Sequence, residues 1–375
     1  MNDRSELLKK IQLNLTPGIG PRLRLALLDH FGSVDNIFRA PESALVCVPG
    51  IGPKLAQAIV QNCDGRAAEK ELQDCEKNSV NILQREQLPR LLTEIHDPPA
   101  LLYSFGKLAP RDDLSIGIVG SRRCTAYGRR MADRLSASLA RAGMTIVSGL
   151  ARGIDGIAHR AALDAGGRTV AVLGSGLLNI YPPEHRGLAD EIPKQGAVLS
   201  EFPLHQRPTP GLFPQRNRII SGLSCGVIIV EATRTSGSLY TARHAMEQGR
   251  LVFAVPGQAT SIASEGCLEL IRDGAILVRN ADDVLSELGP LTNPTTMDSH
   301  PYSEKPQVVH SPRELTLNER EREILNLVPA DPTHVDEILR SSDIQSSIVL
   351  STLTILEMKR LLRRLPGGYW QRASG

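Results

Sequence analysis

Residues 116–155 read IGIVGSRRCTAYGRRMADRLSASLARAGMTIVSGLARGID, and their pattern predicts the fold class. Two short runs rich in β-branched residues, 116–120 and 145–148, lie on either side of 127–142, whose apolar residues recur with helical spacing. A strand, a helix and a second strand in this order are typical of a βαβ unit, in which the two strands are parallel.

The same alternation continues to Leu288. Further strands are predicted at 169–174, 197–201, 227–231, 251–255 and 275–278, and a further helix at 239–248. The pattern predicts an α/β domain with a Rossmann-like, doubly wound parallel sheet over residues 111–289. Ligands of such sheets bind beyond the carboxyl ends of the strands, so the loops that follow the strands are where functional residues are expected.

The N-terminal segment, residues 1–65, contains the phrase TPGIGPRL at 16–23 and the similar VPGIGPKL at 48–55. Each phrase precedes a helical pattern, and a Pro-Gly-Ile-Gly turn between helices resembles the helix-hairpin-helix motif of SAM-like domains. The glycines of that motif allow close backbone approach, and amides at a helix N-terminus can meet a phosphate. The charges of the segment nearly cancel, so DNA contact and a packing or protein-docking role both stay open. Residues 66–110 are predicted to be a connecting segment.

A polar, proline-containing stretch without periodicity follows Gly289 and predicts a linker at 290–312. The remainder, 313–375, resembles a winged helix of three helices and a hairpin, for which DNA contact and protein interaction are equally open. The helices are predicted at 317–327, 334–339 and 347–361, and the hairpin turn follows in RRLPGGYW at 363–370.

Composition narrows the class of protein further. The 375 residues carry a net charge of +2, so any basic surface must be local. No apolar run approaches the roughly 18 residues of a membrane span, and the polar N-terminus lacks a secretory signal, which together predict a cytoplasmic protein with no membrane contact. The cysteines form no CxxC pair, so we expect buried thiols rather than a zinc site or disulfides. They are Cys47, Cys63, Cys75, Cys124, Cys225 and Cys267.

Two loops at the carboxyl ends of the first strands have the composition of an anion site. The first loop opens a helix with backbone amides, a hydroxyl and a guanidinium, and the second places close-approach glycines before a helix whose free amides an aspartate can cap. We expect both loops to bind phosphate. Their residues are Gly120, Ser121 and Arg122 in the first loop and Ser148, Gly149, Ala151, Gly153 and Asp155 in the second.

A third group begins with the phrase FPQRNRIISG at 213–222. We expect Arg216, Asn217 and Arg218 in the first turn of a helix, where cations oppose the helix dipole and so indicate a bound anion. Phe213 is either a core residue or a stacking face for a base. A later strand end and helix start are expected to line the same edge, through Glu231, Ser236, Gly237 and Ser238.

These motifs, in this order, resemble the core of the DprA/Smf family over roughly residues 85–290, and the flanking domains also occur in family members. The resemblance implies a homodimeric, non-enzymatic protein that binds single-stranded DNA. It would protect incoming DNA and load the RecA recombinase during natural transformation. No catalytic residue, cofactor or metal is implied.

By motif position, the resemblance implies that Arg122 is the chief phosphate contact, surrounded by the loop and helix residues named above. One departure concerns the residue before the Phe-Pro pair, where some family members carry a lysine. This chain has TPGL at 209–212 instead. The corresponding contact is therefore missing, or Arg207 supplies it.

Other readings of the sheet lack their motifs. No complete GxGxxG follows the first strand, and no GxxxxGK[ST] occurs. The sequence GLSCG at 222–226 matches the GxSxG motif of the hydrolase nucleophile elbow, which lies between a strand and a following helix. Here a helix precedes the motif and a strand follows it, so Ser224 is predicted to be a helix-end residue. A nucleotide phosphoribohydrolase of the lysine-decarboxylase-like group remains the alternative, although VPGQAT at 255–260 lacks the PGGxGTxxE glutamate that would act as general acid or base. A pure interaction scaffold is the third possibility.

Overall fold

The computed structural model describes residues 2–62, 64–289, 319–329, 332–342, 344, 346–359, 361–365 and 369–372. The chain divides into two compact units, Met1–Arg279 and Asn280–Gly375. The predicted linker at 290–312 lies outside the described residues.

Six helices begin the first unit: α1 (Asn2–Leu15), α2 (Pro21–Phe31), α3 (Val34–Arg39), α4 (Glu42–Leu45), α5 (Pro53–Gln61) and α6 (Arg66–Lys77). Pro21 and Pro53 begin α2 and α5, where a missing N–H costs nothing and the fixed φ angle already suits a helix. Each of these helices follows one of the two Pro-Gly-Ile-Gly turns.

The two turns pack against each other in a reciprocal way. Gly18 has a φ of +81°, and a Cβ there would lie 2.6 Å from Leu55 of the second phrase. Gly50 has a φ of +86°, and its Cβ would lie 2.9 Å from Leu23 of the first phrase. Only glycine fits both the left-handed backbone and the close contact at these two positions. The predicted helix-hairpin-helix fold is therefore confirmed.

A nine-stranded sheet forms the rest of the unit, with the order β1-β2-β6-β5-β4-β3-β7-β8-β9. Its strands are β1 (Asn81–Gln84), β2 (Leu101–Gly106), β3 (Ser115–Val119), β4 (Thr145–Ser148), β5 (Thr169–Val172), β6 (Ala197–Ser200), β7 (Gly226–Ile229), β8 (Leu251–Ala254) and β9 (Ile276–Leu277). The helices of this part are α7 (Arg90–Thr93), α8 (Ala126–Arg141), α9 (Ile154–Asp164), α10 (Arg186–Glu191), α11 (Leu212–Leu223), α12 (Ser238–Glu247) and α13 (Glu265–Arg272).

Strands β3 to β9 are parallel, which confirms the predicted Rossmann-like sheet. The sheet as a whole is mixed, however, because β2 runs antiparallel to β6 and β1 antiparallel to β2. The segment 66–110 was predicted to be only a connection, yet it supplies these two strands and α6, which packs on α1 through Ala68 and Leu72. Strand β1 lies at the sheet edge and is partly exposed, so its sequence lacks the continuous apolar run of an inner strand.

The second unit has its own small core. Its elements are α14 (Ala281–Leu288), α15 (Glu319–Asn326), β10 (Thr333–His334), α16 (Val335–Arg340), α17 (Ser346–Met358), β11 (Leu362–Leu365) and β12 (Tyr369–Arg372). The three strands form a sheet of order β10-β12-β11, and Trp370 packs with Ile324 and Leu353. The helices α15, α16 and α17 together with this sheet make the predicted winged helix. The predicted domain boundary at 289 falls one helix after the start of this unit.

The cysteines differ in exposure. Cys75 and Cys267 are buried, as expected, and Cys124 and Cys225 are partly exposed. Cys47 is exposed, so the expectation of a buried thiol is wrong there, because the residue lies in the turn before α5 rather than in a core. Cys63 lies outside the described residues. Among the helices of the described part, none is both long and apolar enough to cross a membrane.

Candidate nucleic-acid interface

The order of the strands places one crevice at the carboxyl edge of the sheet. From β3 the chain moves outward through β4, β5 and β6, and it then returns to the other side of β3 for β7, β8 and β9. The helices that follow β3 and β7 therefore diverge at this point, which leaves a crevice between them. The loops after β3 and β4 open into it.

A cleft of about 920 Å³ occupies this position. Of the predicted residues, those that line it are Gly120, Ser121, Arg122, Ala151, Asp155, Phe213, Arg216, Asn217, Ser236, Gly237 and Ser238. The structure does not place the other five on its wall, namely Ser148, Gly149, Gly153, Arg218 and Glu231. Lining residues that the sequence did not indicate include Arg123, Tyr181, Thr233 and Tyr240.

Arginines and aromatic rings alternate in a row that begins on the cleft wall with Arg122, Phe213 and Tyr181 and ends just beyond it at Arg152. The Arg122 guanidinium lies over the Phe213 ring, 5.1 Å from its centroid. The Phe213 and Tyr181 centroids are 5.8 Å apart, and the Arg152 guanidinium lies 5.8 Å from the Tyr181 centroid. Phe213 is partly exposed and is therefore not a core residue. The wall presents positive charge and ring faces together, the two groups that contact a phosphate and a base.

Arg216 lies beneath the cleft surface and supports the loop after β4. The helix α11 begins at Leu212, so Arg216 lies in its second turn and not in the first, as the sequence had indicated. Its side chain is almost fully buried and donates to the carbonyl of Gly149, at 2.6 Å, and to that of Val172. Burial lowers the pKa of Arg216 to about 10, against the opposing effect of Asp155, so the guanidinium is charged at neutral pH.

Among the described residues that line the cleft, Asp155 is the one with a carboxylate side chain. Its Oδ2 accepts a hydrogen bond from the Gly149 amide at 3.2 Å. Gly149 lies in the loop before α9, so this bond holds the loop and is not the cap of helix amides that the sequence predicted. Burial raises the pKa of Asp155, while the Arg216 charge and the loop amides lower it. The pair of Asp155 and Arg216 therefore holds the loop after β4 from both sides.

The glycines of the second loop are required by close packing. A Cβ on Gly149 would lie 2.5 Å from the Arg216 guanidinium. Gly153 has a φ of +73°, and its Cβ would lie 2.3 Å from the carbonyl of Ser121. The nearby hydroxyl of Ser148 is buried and donates to the carbonyl of Ile118 at 2.6 Å. These three residues shape the loops instead of lining the cleft.

Two histidines hold the residue at the tip of the loop. Leu150 has a φ of +55°, an uncommon conformation for a side chain with a Cβ. Its amide donates to Nε2 of His159 at 3.3 Å, and its carbonyl accepts from Nδ1 of His185 at 2.8 Å. The sequence carried no signal for either histidine, because both contacts join the loop to residues on other elements.

Arg218 does not provide the phosphate contact that was expected of it. It is almost fully buried, and its guanidinium lies 2.8 Å from Glu201 and 3.1 Å from Asp97. The residue lies two positions after Arg216 on a helix, which turns its side chain away from the cleft. Its charge is therefore already matched inside the protein.

Glu231 also has a structural role in place of the expected one. Its carboxylate accepts from the Thr125 hydroxyl at 2.6 Å and from the Thr125 amide at 3.1 Å. Thr125 in turn caps the start of α8 by accepting from Gly128. Glu231 therefore joins the end of β7 to the helix that follows Arg122.

Comparison with known proteins assigns the family. The family described as DNA recombination-mediator protein A matches residues 79–289, which is more than half of the chain. The chain belongs to the DprA/Smf family. A DprA winged helix domain matches residues 309–368, and a SAM-like helix-hairpin-helix tandem matches residues 6–63.

Individual members of the DprA/Smf family support this assignment over most of the chain. Protein Smf of Synechocystis is 35% identical over 95% of this chain and 96% of its own length, and Protein Smf of Escherichia coli is 42% identical over 76% and 75%. The X-ray structure of DprA from Streptococcus pneumoniae has a TM-score of 0.66 at 36% identity, covering 75% of this chain and 97% of that one. DprA from Helicobacter pylori, solved for its single-stranded DNA binding mode, has a TM-score of 0.51 at 33% identity, covering 56% and 95%.

Among the described residues just before the Phe-Pro pair, where some family members carry a lysine, none places a basic side chain on the cleft wall. Pro208, Thr209 and Pro210 line the cleft there, whereas Arg207 is exposed and does not. The two alternatives, that the contact is missing or that Arg207 supplies it, both stay predictions.

The first hairpin turn of this DprA/Smf chain faces helix α11. Gly18 and Gly20 line a cavity of about 420 Å³ together with Pro214 of α11. Arg24 of α2 is buried and lies 3.3 Å from Glu201 at the end of β6. The turn thus has a packing role, and its role toward DNA stays open.

Proposed function

We propose that this chain binds single-stranded DNA along the carboxyl edge of its sheet, protects that DNA and delivers it to RecA during natural transformation. The observation that carries the proposal is the guanidinium of Arg122 over the ring of Phe213 at the wall of a 920 Å³ cleft. Such a wall pairs a phosphate contact with a stacking face, and each stacked base contributes about 1–3 kcal/mol in single-strand binders.

In this proposal different side chains contact the phosphates, contact the bases and support the loop. Arg122 and Arg123 are exposed and lie on the wall, so they contact phosphates. Phe213 and Tyr181 face bases. Arg216 keeps the loop after β4 in place, from below the surface, through its bonds to two carbonyls. Because no base edge is read in this scheme, the affinity depends weakly on sequence and falls as salt rises.

The wider role rests on the family and on a dimer. A single protomer offers a short track, and two protomers that hold one strand gain affinity because the second contact is intramolecular. Relatives in Bacillus subtilis and Streptococcus pneumoniae carry the name DNA processing protein. In this proposal the protein acts as a binder, not as a catalyst, and a dimer of the chain keeps the strand extended for RecA.

The first test is fluorescence anisotropy with a labelled oligo-dT of about 20 nucleotides, long enough to cover a single-strand site. Arg122→Ala is the informative variant, because Arg122 is exposed and no carboxylate partner is seen for it in the described part of the chain. Arg134→Ala is the matched control, since it removes the same charge from the exposed face of α8 and away from the cleft. Arg122→Ala should weaken binding at least about 10-fold, and the control should not.

Binding that is as strong for duplex as for single strands, or an Arg122→Ala protein that binds like the wild type, would contradict the proposal. Asp155 then becomes the group to examine, as a carboxyl with raised pKa in a cleft. Hydrolysis of nucleoside monophosphates would test the phosphoribohydrolase alternative directly. For the RecA step, the wild type should speed RecA-dependent ATP hydrolysis on DNA already covered by single-strand-binding protein, and Arg122→Ala should not.

A further inference from the structure

A second groove of about 840 Å³ adjoins the cleft and shares two residues with it, Arg122 and Arg123. It runs between the start of α8, the loop at Gly153 and the short helix α10. The basic side chains on its wall are all arginines, apart from one histidine. They are Arg122, Arg123, Arg129, Arg130 and Arg160.

The acidic groups of the groove are mostly neutralised already. Glu191 lies 2.5 Å from Arg160, and Glu184 pairs with Arg152. Asp133 is the remaining carboxylate on the wall.

The arginines at the start of α8 have a different status. Arg129 and Arg130 are exposed, and within the described part of the chain neither forms an ion pair. Two adjacent guanidiniums without partners leave a net positive wall.

The lining of the groove separates it from the cleft chemically. The cleft presents the rings of Phe213, Tyr181 and Tyr240, whereas no phenylalanine, tyrosine or tryptophan is found among the described residues that line the groove. The ring of this wall is the partly buried imidazole of His185, which is bonded to the Leu150 carbonyl. A wall made mainly of arginines can hold phosphates but offers little stacking face.

We propose that the groove takes the sugar-phosphate backbone of the nucleotides that leave the cleft, as a continuation of the same single strand. This inference rests on the proposed function of the cleft. Because Arg122 and Arg123 line both spaces, a strand held by them enters the groove without a gap. Arg129 and Arg130 then contact two further phosphates of the strand, and the bases of those nucleotides face solvent.

The test compares a short and a long oligo-dT, of about six and about 20 nucleotides, on the full-length protein. The variant Arg129→Ala/Arg130→Ala should bind the long strand about 10-fold more weakly, and its salt slope should fall by about 1.4, from about 0.7 for each lost phosphate contact. Affinity for the short strand, which the cleft alone accommodates, should be unchanged. The control Arg134→Ala/Arg141→Ala removes the same charge from exposed positions of the same helix that do not line the groove, and it should behave like the wild type.

Three results would overturn the inference: long-strand affinity equal to that of the wild type, an equal loss in the control, or a loss confined to duplex DNA. None of these results contradicts the proposed function of the cleft, because short-strand binding that depends on Arg122 would persist in all three. Failure of the wild type to bind the short strand through Arg122 would instead refute the proposed function itself. The two failures are therefore distinguishable.

Discussion

His159 should make the first unit sensitive to acid. The side chain is fully buried, and its Nε2 accepts from the Leu150 amide at 3.3 Å. Its Nδ1 lies 2.6 Å from the hydroxyl of Thr169, which itself donates to the carbonyl of Ile146 at 2.7 Å. Nδ1 must therefore carry the proton and donate it to Thr169, since that hydroxyl proton is already used. This network requires a neutral imidazole, and burial lowers the pKa of His159 from 6.5 to about 3.

The sign and size of the effect follow from proton linkage. Below its ordinary pKa of 6.5, His159 binds a proton in the unfolded chain, but it stays neutral in the folded chain until about pH 3. The contribution of the neutral His159 to the free energy of unfolding is therefore complete above pH 6.5. It falls by about 1.4 kcal/mol per pH unit as the pH drops from 6.5 towards 3. From about pH 8 to about pH 4.5 the loss comes to about 2.5 kcal/mol.

The variant His159→Gln isolates this effect. Its side-chain oxygen can still accept from the Leu150 amide, and it does not titrate. The carboxyls of Asp155 and Glu71 have raised pKa values and act in the opposite direction, so the comparison of wild type with variant is needed to cancel them. The wild type should be the more stable protein at about pH 8, and its advantage should shrink by about 2.5 kcal/mol at about pH 4.5.

Hydrogen exchange with mass spectrometry, measured in a urea series on peptides that cover β4 and β5, reports unfolding of this part of the sheet. Both strands contact His159 or its partner Thr169, whereas the single tryptophan, Trp370, belongs to the other unit. A stability difference between wild type and variant that does not change with pH would refute the reasoning. So would an imidazole NMR signal of His159 that titrates near pH 6.5.

Three further changes test other parts of the structure. Glu201→Gln leaves two buried arginines with a weaker partner and should lower the free energy of unfolding by about 3–5 kcal/mol in urea denaturation. Glu191→Gln, at an exposed ion pair, should have a much smaller effect. Gly149→Ala places a Cβ 2.5 Å from the Arg216 guanidinium and should lower the free energy of unfolding by about 1–3 kcal/mol in urea denaturation. The same variant should bind oligo-dT more weakly in anisotropy. Phe213→Leu should weaken oligo-dT binding about 10-fold in anisotropy while Phe213→Tyr keeps it, and equal binding by all three proteins would argue against stacking.

Strand and helix periodicity was enough to predict the Rossmann-like sheet, because inner parallel strands are apolar throughout and their helices carry one apolar face. Strand β4 was predicted with its observed bounds, and β5 was extended beyond Val172 because apolar residues continue after the strand ends. The edge strand β1 and its neighbour β2 were missed. The four residues of β1 are partly exposed and have too little pattern to stand out from a loop, and β2 is a single short apolar run that pairs with β1 and β6 only in the folded chain.

The location of the cleft also followed from the order of the motifs. Loops after parallel strands meet at one edge, so Gly120, Arg122 and Asp155 had to lie near one another once the sheet was predicted. What could not be predicted is which polar side chains on that edge face the solvent. Arg216 and Arg218 are two residues apart, yet one supports the cleft and the other is paired with Glu201, since a helix turns about 100° for each residue.

The periodicities, the turn glycines and the motif order can be seen in the sequence, because all of them depend on near neighbours in the chain. The folded structure is needed to see which charges are buried and paired, as at Glu231, and which rings line the cleft, as at Tyr181. Burial and pairing depend on residues distant in the chain, since Thr125 lies 106 positions from Glu231 and His185 contacts Leu150 across 35 positions. Such contacts leave no periodic trace in the sequence, so only the folded chain shows them.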